Sequence, residues 1–413
     1  GDDYMRSALG AESMNGGTGI DTIDHTAYDF DYDFDMVTGQ TQFSSPTFNE
    51  EYQNFENVVM GDGNDSVSGT GDRNSMEGGA GNDTLFGLGD NDQIYGGADN
   101  DILIGGAGAD LIYGGTGEDT ADYSSSGLGI EIRLTGAAGS GGDAQGDRIY
   151  DTENLIGTAF SDSILGNGGD NELTGGNLAD TISGSLGNDV IYGGTGGDRL
   201  KGNRDDDIIF GGNGGDRLFG NENSDILYGE DGFDRILGGS GADTLFGGNQ
   251  DDEASGQSGS DIVYGGDGDD EVKGNGGADT VYGDAGNDTV FGNENPDVLY
   301  GGTDDDILFG GTSIDMLYGG DGMDTLDGGV GGDFMTGGAD ADVFAFTATG
   351  GVDVITDWQD GLDQLDFTAD GLSFGDFTIT SYGGGAGTQL QGGGYTVRLE
   401  GIAPGAIDAL DFL

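Results

Sequence analysis

The sequence predicts an all-β repeat fold, and three observations carry that prediction. A nine-residue pattern, Gly-Gly-x-Gly-x-Asp-x-U-x with U a large apolar residue, recurs from Gly157 to Ala345 without a slip in phase, giving 21 copies. A shorter array of seven copies runs from Met60 to Asp122. Position eight is large and apolar in 20 of the 21 long-array copies, Ala254 being the exception. A short fixed period with one apolar place per copy marks stacked repeats that bury a shared core.

Each copy reads as a turn followed by a strand. Positions one to six are rich in glycine and aspartate, which suit tight turns and leave backbone carbonyls open. Positions seven to nine form a three-residue strand whose middle side chain faces away from its neighbours. Position eight is therefore the core, as at Ile191, Leu200, Ile209, Leu218 and Leu227.

Position six is Asp in 20 of the 21 long-array copies and in six of the seven short-array copies; Asn171 and Asn74 are the departures. A turn alone would accept Asn or Ser as readily. The strictness asks for a carboxylate charge, and calcium uses it: the ion takes about 6–8 oxygens from carboxylates and backbone carbonyls in a flexible cage.

Composition agrees. The formal charge is −68, with 93 glycines and 33% hydrophobic residues. Such numbers describe a disordered acidic tail unless something offsets the charge. The strict period argues for a fold that a cation completes. The acidity argues against nucleic acid and anionic membrane surfaces as partners. There are no cysteines, so no disulfide staples the chain. No apolar run approaches the length of a membrane span. The first residues show no signal-peptide pattern, as expected of a stretch that begins mid-copy: Gly1–Arg6 reads as positions four to nine of a copy, which leads us to expect further sequence upstream.

The copies resemble the RTX (repeats-in-toxin) calcium-binding nonapeptide family over nearly the whole chain. The resemblance implies a right-handed parallel β-roll in which two successive copies make one turn. It implies calcium between loops 18 residues apart, so that Asp189 and Asp207 flank one site and Asp198 and Asp216 another. Carried along the arrays, the expected metal ligands in the first part of the chain are Asp21, Asp65, Asp83, Asp92, Asp101, Asp110, Asp119, Asp162, Asp180, Asp189 and Asp198. In the second part they are Asp207, Asp216, Asp225, Asp234, Asp243, Asp252, Asp261, Asp270, Asp279, Asp288, Asp297, Asp306, Asp315, Asp324, Asp333 and Asp342. The expected cofactor is Ca2+, about 20 ions from one per stacked loop pair.

The arrays are interrupted twice. The expected organisation is the end of an upstream array over 1–24, a β module over 25–59, and the seven-copy roll over 60–122. A second β module follows over 123–156, then the 21-copy roll over 157–345 and a C-terminal β cap over 346–413. In the first module Phe30, Tyr32 and Phe34 alternate with Asp29, Asp31, Asp33 and Asp35, as in a strand with one aromatic and one acidic, solvated face. The stretch from Asp342 to Leu413 resembles the C-terminal region of serralysin-type proteases and other type I secretion substrates. Its last residues, Asp411-Phe412-Leu413, fit that resemblance.

A catalytic centre is not expected. The serralysin resemblance raises a zinc protease, but that family needs three histidines and the chain has one, His25, read here as a strand-edge residue. Gly371-Leu372-Ser373-Phe374-Gly375 matches the nucleophile-elbow pattern, yet no helical period follows it and no second histidine can serve Ser373.

In a roll of two copies per turn, residues 18 apart stack on one outer surface. One sheet then carries Tyr192, Phe210, Tyr228, Phe246, Tyr264, Tyr282, Tyr300 and Tyr318 at position nine, above Val190, Ile208, Ile226, Thr244, Ile262, Thr280, Val298 and Met316 at position seven. The other carries Arg199, Arg217, Arg235, Glu253 and Glu271 at position seven. The aromatic sheet is expected to pack on a second copy or another domain. The functional expectation is a secreted calcium-binding module, exported by a type I apparatus and folding outside the cell or at its surface. The alternatives are a surface layer, matrix fibre or adhesin whose roll is the product, and the carrier of an upstream hydrolase.

Overall fold

A computed structural model describes residues 1–7, 13–27, 30–43 and 51–413; Tyr28 and Asp29, part of the expected first module, lie outside the described residues. The chain forms two compact units, Gly1–Leu200 and Lys201–Leu413. Both are built of short strands, and the described residues include four 3-10 turns and no α-helix. Among the described residues no helix is long and apolar enough to cross a membrane.

In the second unit the strands pair in parallel at a constant offset of 18 residues. Tyr264 stands beside Tyr282 and Tyr282 beside Tyr300 on one sheet. Arg235 stands beside Glu253 and Glu253 beside Glu271 on the other. Alternate copies thus feed alternate sheets, and the position-eight side chains meet between them: Leu227, Leu245, Val263, Val281 and Leu299 are fully buried, as are Ile236, Val272 and Val290. Leu308, Leu317 and Leu326 continue the core.

The strands are longer than the three residues that the sequence suggests. Most run for six, as in Ile226–Asp231 and Thr244–Asn249, because the first three residues of the next copy stay in register too. Glycine at those places lets two backbones approach where any Cβ would collide, and so extends the ladder.

The first unit follows the same rule with larger steps. Leu85 pairs with Leu103 at the regular offset. The first interruption is threaded into the roll: Tyr32–Asp35 pairs in parallel with Ser66–Ser68 and antiparallel with Gln40–Phe43, and Ile23 stacks on Val58. Tyr32 and Phe34 enter the core, as the aromatic alternation suggests, while Phe30 is half exposed. The second interruption contributes Arg148–Tyr150, beside Leu111–Thr116, and Asn154–Ile156, beside Thr120–Asp122. Both are insertions within single turns, each long enough to bring a strand back into register.

His25 is not at an edge. It is fully buried, with its ring centroid 5.1 Å from that of Tyr32 and 5.3 Å from that of Tyr52, and Nδ1 lies 3.0 Å from the Ser7 hydroxyl. Burial lowers its pKa to about 4, so it is a neutral core residue.

Beyond Ala345 the second unit continues to stack. Asp353–Ile355 pairs with Phe334–Ala339, and Gln364–Asp366 with Val343–Ala345. An antiparallel sheet of Thr378–Tyr382, Gly387–Gly392 and Tyr395–Glu400 then joins through Tyr395–Glu400 beside Asp353–Ile355. Phe412 packs against Phe367, Phe374 and Phe377, while Leu410 is exposed.

Candidate metal centres

The position-six aspartates form two buried ladders in the second unit, one under each row of turns. Each backbone N–H donates to the Oδ1 of the aspartate 18 residues on. On one side Asp234, Asp252, Asp270 and Asp288 donate in this way at 2.6–2.8 Å. On the other, Asp225, Asp243, Asp261 and Asp279 donate at 2.9 Å. The first unit repeats the ladder through Asp65, Asp83 and Asp101, and through Asp92 and Asp110.

One carboxylate oxygen is thereby used and the other is left over. The Oδ2 atoms of Asp225, Asp234, Asp243, Asp252, Asp261 and Asp270 are buried without a hydrogen-bond partner, and so are those of Asp83, Asp92 and Asp101. A buried, unsatisfied carboxylate oxygen is expensive, and its recurrence in register calls for a positive group.

Its position is defined by what a methyl group would meet. A Cβ built on Gly229 would collide with Oδ2 of Asp234 and with the carbonyl oxygen of Gly247 on the next turn. The same pair of oxygens, one carboxylate and one carbonyl, borders Gly247, Gly265, Gly283 and Gly301. In the first unit it borders Gly78, Gly87 and Gly96. Glycine at position one thus keeps a small oxygen-lined cradle clear between stacked turns. Among the described residues no three His, Cys, Asp or Glu side chains converge. A cation held here draws chiefly on backbone carbonyls, which suits a hard ion with a loose, high coordination number.

Electrostatics point the same way. Burial pushes the carboxyls of Asp225, Asp252, Asp288 and Asp297 up to about 8, against the opposing effect of the N–H each accepts. Burial likewise raises Asp234, Asp243 and Asp270 to about 6. These groups resist ionising alone and are ready to be ionised by a bound cation.

Not every expected ligand has a free oxygen. Asp162 accepts at Oδ2 from the N–H of Thr158, and at Oδ1 from Ile130 N–H and the Thr158 hydroxyl. Thr158 stands where most copies have glycine, and its hydroxyl and N–H fill the place. Asn171 and Asn74 occupy their rungs and donate through Nδ2 to the carbonyls of Glu153 and Glu56. Asp21, by contrast, keeps Oδ2 buried without a partner: its Oδ1 accepts from Asp3 N–H and its own N–H donates to Glu56 Oε2.

The ladder also recruits residues outside the repeat frame. Asp147 accepts from Asp110 N–H at 2.7 Å, and Glu153 from Asp119 N–H at 2.9 Å. The Oδ2 of Asp147 is occupied by the buried Tyr123 hydroxyl at 2.9 Å. Asp353 and Asp363 extend the two ladders of the second unit by accepting from Asp333 and Asp342. No nine-residue spacing marks these four; an acidic residue immediately before a short apolar strand is the one signal they share with the repeats. A second, exposed ladder runs through position five, where Asn287 N–H donates to Asp269 and Asp305 N–H to Asn287.

The Ser373 motif resolves into a cap. Its hydroxyl donates to Asp376 Oδ2 at 3.0 Å at the start of the 3-10 turn Phe374–Asp376. Neither the turn nor its surroundings supply a histidine base.

On the outer face of one sheet of the second unit, Phe210, Tyr228, Phe246, Tyr264, Tyr282, Tyr300 and Tyr318 form one stack. Consecutive ring centroids are 4.7–4.9 Å apart and their planes lie within 11° of parallel. In the first unit Tyr95, Tyr113 and Tyr150 stack in the same manner.

The model of the RTX calcium-binding nonapeptide repeat (four copies) matches residues 61–94, 86–121, 150–182, 183–218, 219–254, 255–290, 282–317 and 318–346. The unmatched stretches include most of the two interruptions and the C-terminal cap. No curated protein matches the chain significantly. Among solved structures, the AlgE6R3 subunit of the mannuronan C5-epimerase from Azotobacter vinelandii is 31% identical over 30% of this chain and 80% of its own, with a TM-score of 0.27.

Proposed function

Because the chain belongs to the RTX calcium-binding nonapeptide-repeat family, we propose that it is a secreted module that folds when calcium enters the cradles between its stacked turns. The position-six aspartates are the ligands in this reading, each through Oδ2, together with position-one carbonyls of the neighbouring turn. The observation that carries it is the recurrent buried, unpartnered Oδ2 facing a carbonyl across a glycine. The ion supplies the positive charge that the ladder and the net charge of −68 lack. Asp162, Asn171 and Asn74 contribute to stacking rather than to binding.

In a calcium-poor cytosol the chain stays unfolded, which suits passage through a type I channel; at about 0.1–1 mM calcium outside, the range of extracellular sites, it folds. The C-terminal segment, with its resemblance to serralysin-type export regions, carries the address. The module belongs to a larger protein, and its aromatic sheet packs against a second copy. A structural role, as a surface layer or matrix fibre, gains support from the seven-ring stack. The other alternative is a carrier of an upstream secreted hydrolase, which a catalytic domain upstream in the full-length gene would favour.

Circular dichroism tests the central claim. The chain is expected to show a disordered spectrum in excess EDTA and a β spectrum in millimolar calcium, with magnesium a poor substitute because it demands a tighter octahedral site. Equal β content in EDTA after full metal removal would refute it.

A further inference from the structure

The second sheet of the second unit carries a row of charges in an unusual order. On four neighbouring strands, position seven reads Arg217, Arg235, Glu253 and Glu271, each beside the next in the parallel register. Arg therefore stands next to Arg, and Glu next to Glu. Neighbouring strands are about 4.8 Å apart, and like charges directly opposite destabilise a strand pair. The alternating order Arg, Glu, Arg, Glu would pair every charge within one chain. The block order allows one pair across the centre, Arg235 with Glu253 at 3.4 Å, while Glu271 turns to Lys273 on its own strand. Arg217, Arg235 and Glu271 are exposed and Glu253 is half buried.

The setting sharpens the point. The chain has 11 Lys and Arg against 79 Asp and Glu. Arg217, Arg235 and Lys273 gather three of those 11 bases on this face, beside Glu253 and Glu271. The row lines an open groove bordered by Phe233, Asn287 and the exposed Asp251 and Asp269.

We propose that this face binds a second copy of the chain, antiparallel, across a two-fold axis. The axis runs along the strand direction between Arg235–Ser240 and Glu253–Ser258. Such an axis turns the face over and reverses the order of strands, but keeps the strand direction. Position seven then meets position seven in reverse order. Arg217 lies opposite Glu271 of the second copy, and Arg235 opposite its Glu253. At position nine, Phe219 lies opposite Lys273 of the second copy, which within its own chain sits over the Phe291 ring, 5.5 Å from the centroid, and pairs with Glu271. One operation relieves both like-charge neighbours in both copies and closes on itself, as an isologous dimer must. Four strands of six residues make a face smaller than the roughly 800 Å² per partner of a standard interface, so the dimer is weak and salt-sensitive. This face is opposite in character to the aromatic one and does not depend on it.

Charge exchange tests the pairing by sedimentation velocity in millimolar calcium. One variant carries Arg217→Glu with Arg235→Glu, the other Glu253→Arg with Glu271→Arg. Each alone is expected to lose the salt-sensitive part of concentration-dependent association, an equimolar mixture to regain it as a heterodimer, and the chain with all four exchanges to regain it alone. Wild-type association should weaken as sodium chloride rises, a measurement that needs no variant. Retention of the calcium-induced β spectrum shows that each variant folds. The proposal is overturned when both variants associate as wild type does, when their mixture is no better than either, or when wild type stays monomeric at low salt. Loss of association in Tyr228→Glu with Tyr264→Glu, but not in the charge variants, would leave the aromatic face standing and remove this one.

Discussion

At position six a single side chain has two tasks, and its two oxygens divide them. Oδ1 of Asp252 holds the previous turn through the Asp234 N–H, and Oδ2 faces the cradle. Asparagine can do the first but not the second, which explains the near-absence of Asn from the arrays. Gly229→Ala places a methyl between Asp234 Oδ2 and the Gly247 carbonyl. Overpacking of this kind costs about 1–3 kcal/mol. The variant is expected to need more calcium to fold and to bind one ion fewer by calorimetry. Gly71→Ala, where nothing lies within 4 Å, should change neither.

The raised carboxyls also set a pH dependence. Asp225, Asp252, Asp288 and Asp297 sit at about 8 in the folded chain, against 3.8 ordinarily. The metal-free fold therefore holds more protons than the unfolded chain. Its stability is fully present below about pH 4 and is lost as pH rises through 6–8. In EDTA the chain should show more β structure at pH 5 than at pH 8. In calcium that dependence is expected to vanish: the aspartates are ionised in the unfolded chain at pH 7 and stay so around the ion, so folding on calcium should release few protons. A large proton release on binding at pH 7, read by calorimetry in buffers of different ionisation enthalpy, would contradict this.

The strand is the element in which sequence and structure differ most usefully. Three apolar-polar residues per copy mark its centre, but the ladder runs on through the first three residues of the next copy, Gly229-Glu230-Asp231 or Gly247-Gly248-Asn249, whose glycines and polar side chains display no apolar period. The aromatic row behaves differently. Its members are legible because position nine is read on the same sheet every 18 residues, and the structure turns them into a column of parallel rings. Each ring shows its edge outward, and each pair contributes roughly 0.5–1.5 kcal/mol. If the column is also an interface, Tyr228→Glu with Tyr264→Glu should lower the mass seen by light scattering while leaving calcium stoichiometry intact. If stacking is its whole purpose, the same variant lowers the melting temperature and leaves the mass unchanged.

For the whole molecule, the two dominant quantities are the charge of −68 and the end of the stack. The charge makes folding conditional on a counter-ion. The end matters because a stacked repeat buries its last turn only if something covers it. In the second unit Tyr395–Glu400 covers Asp353–Ile355, and Phe412 closes against Phe367 and Phe377. Removing Asp342 to Leu413 is expected to shift the calcium midpoint upward by circular dichroism and to abolish export in a type I system. Normal secretion of the shortened chain would remove the export reading and leave the cap.

By itself, the sequence determined the repeat, its core position and the carboxylate that recurs with it. Each of these is a local choice repeated in phase, and a period survives without knowledge of what touches what. Tertiary structure alone decided which carboxylate oxygen is left over, because that depends on a neighbour 18 residues away. It decided that Asp147, Asp353 and Asp363 join the ladder and that Asp162 is already satisfied by Thr158. These residues are brought into line by insertions of irregular length, which carry no period. It also decided the fate of His25, whose burial comes from aromatic rings delivered by a strand that no local pattern ties to it.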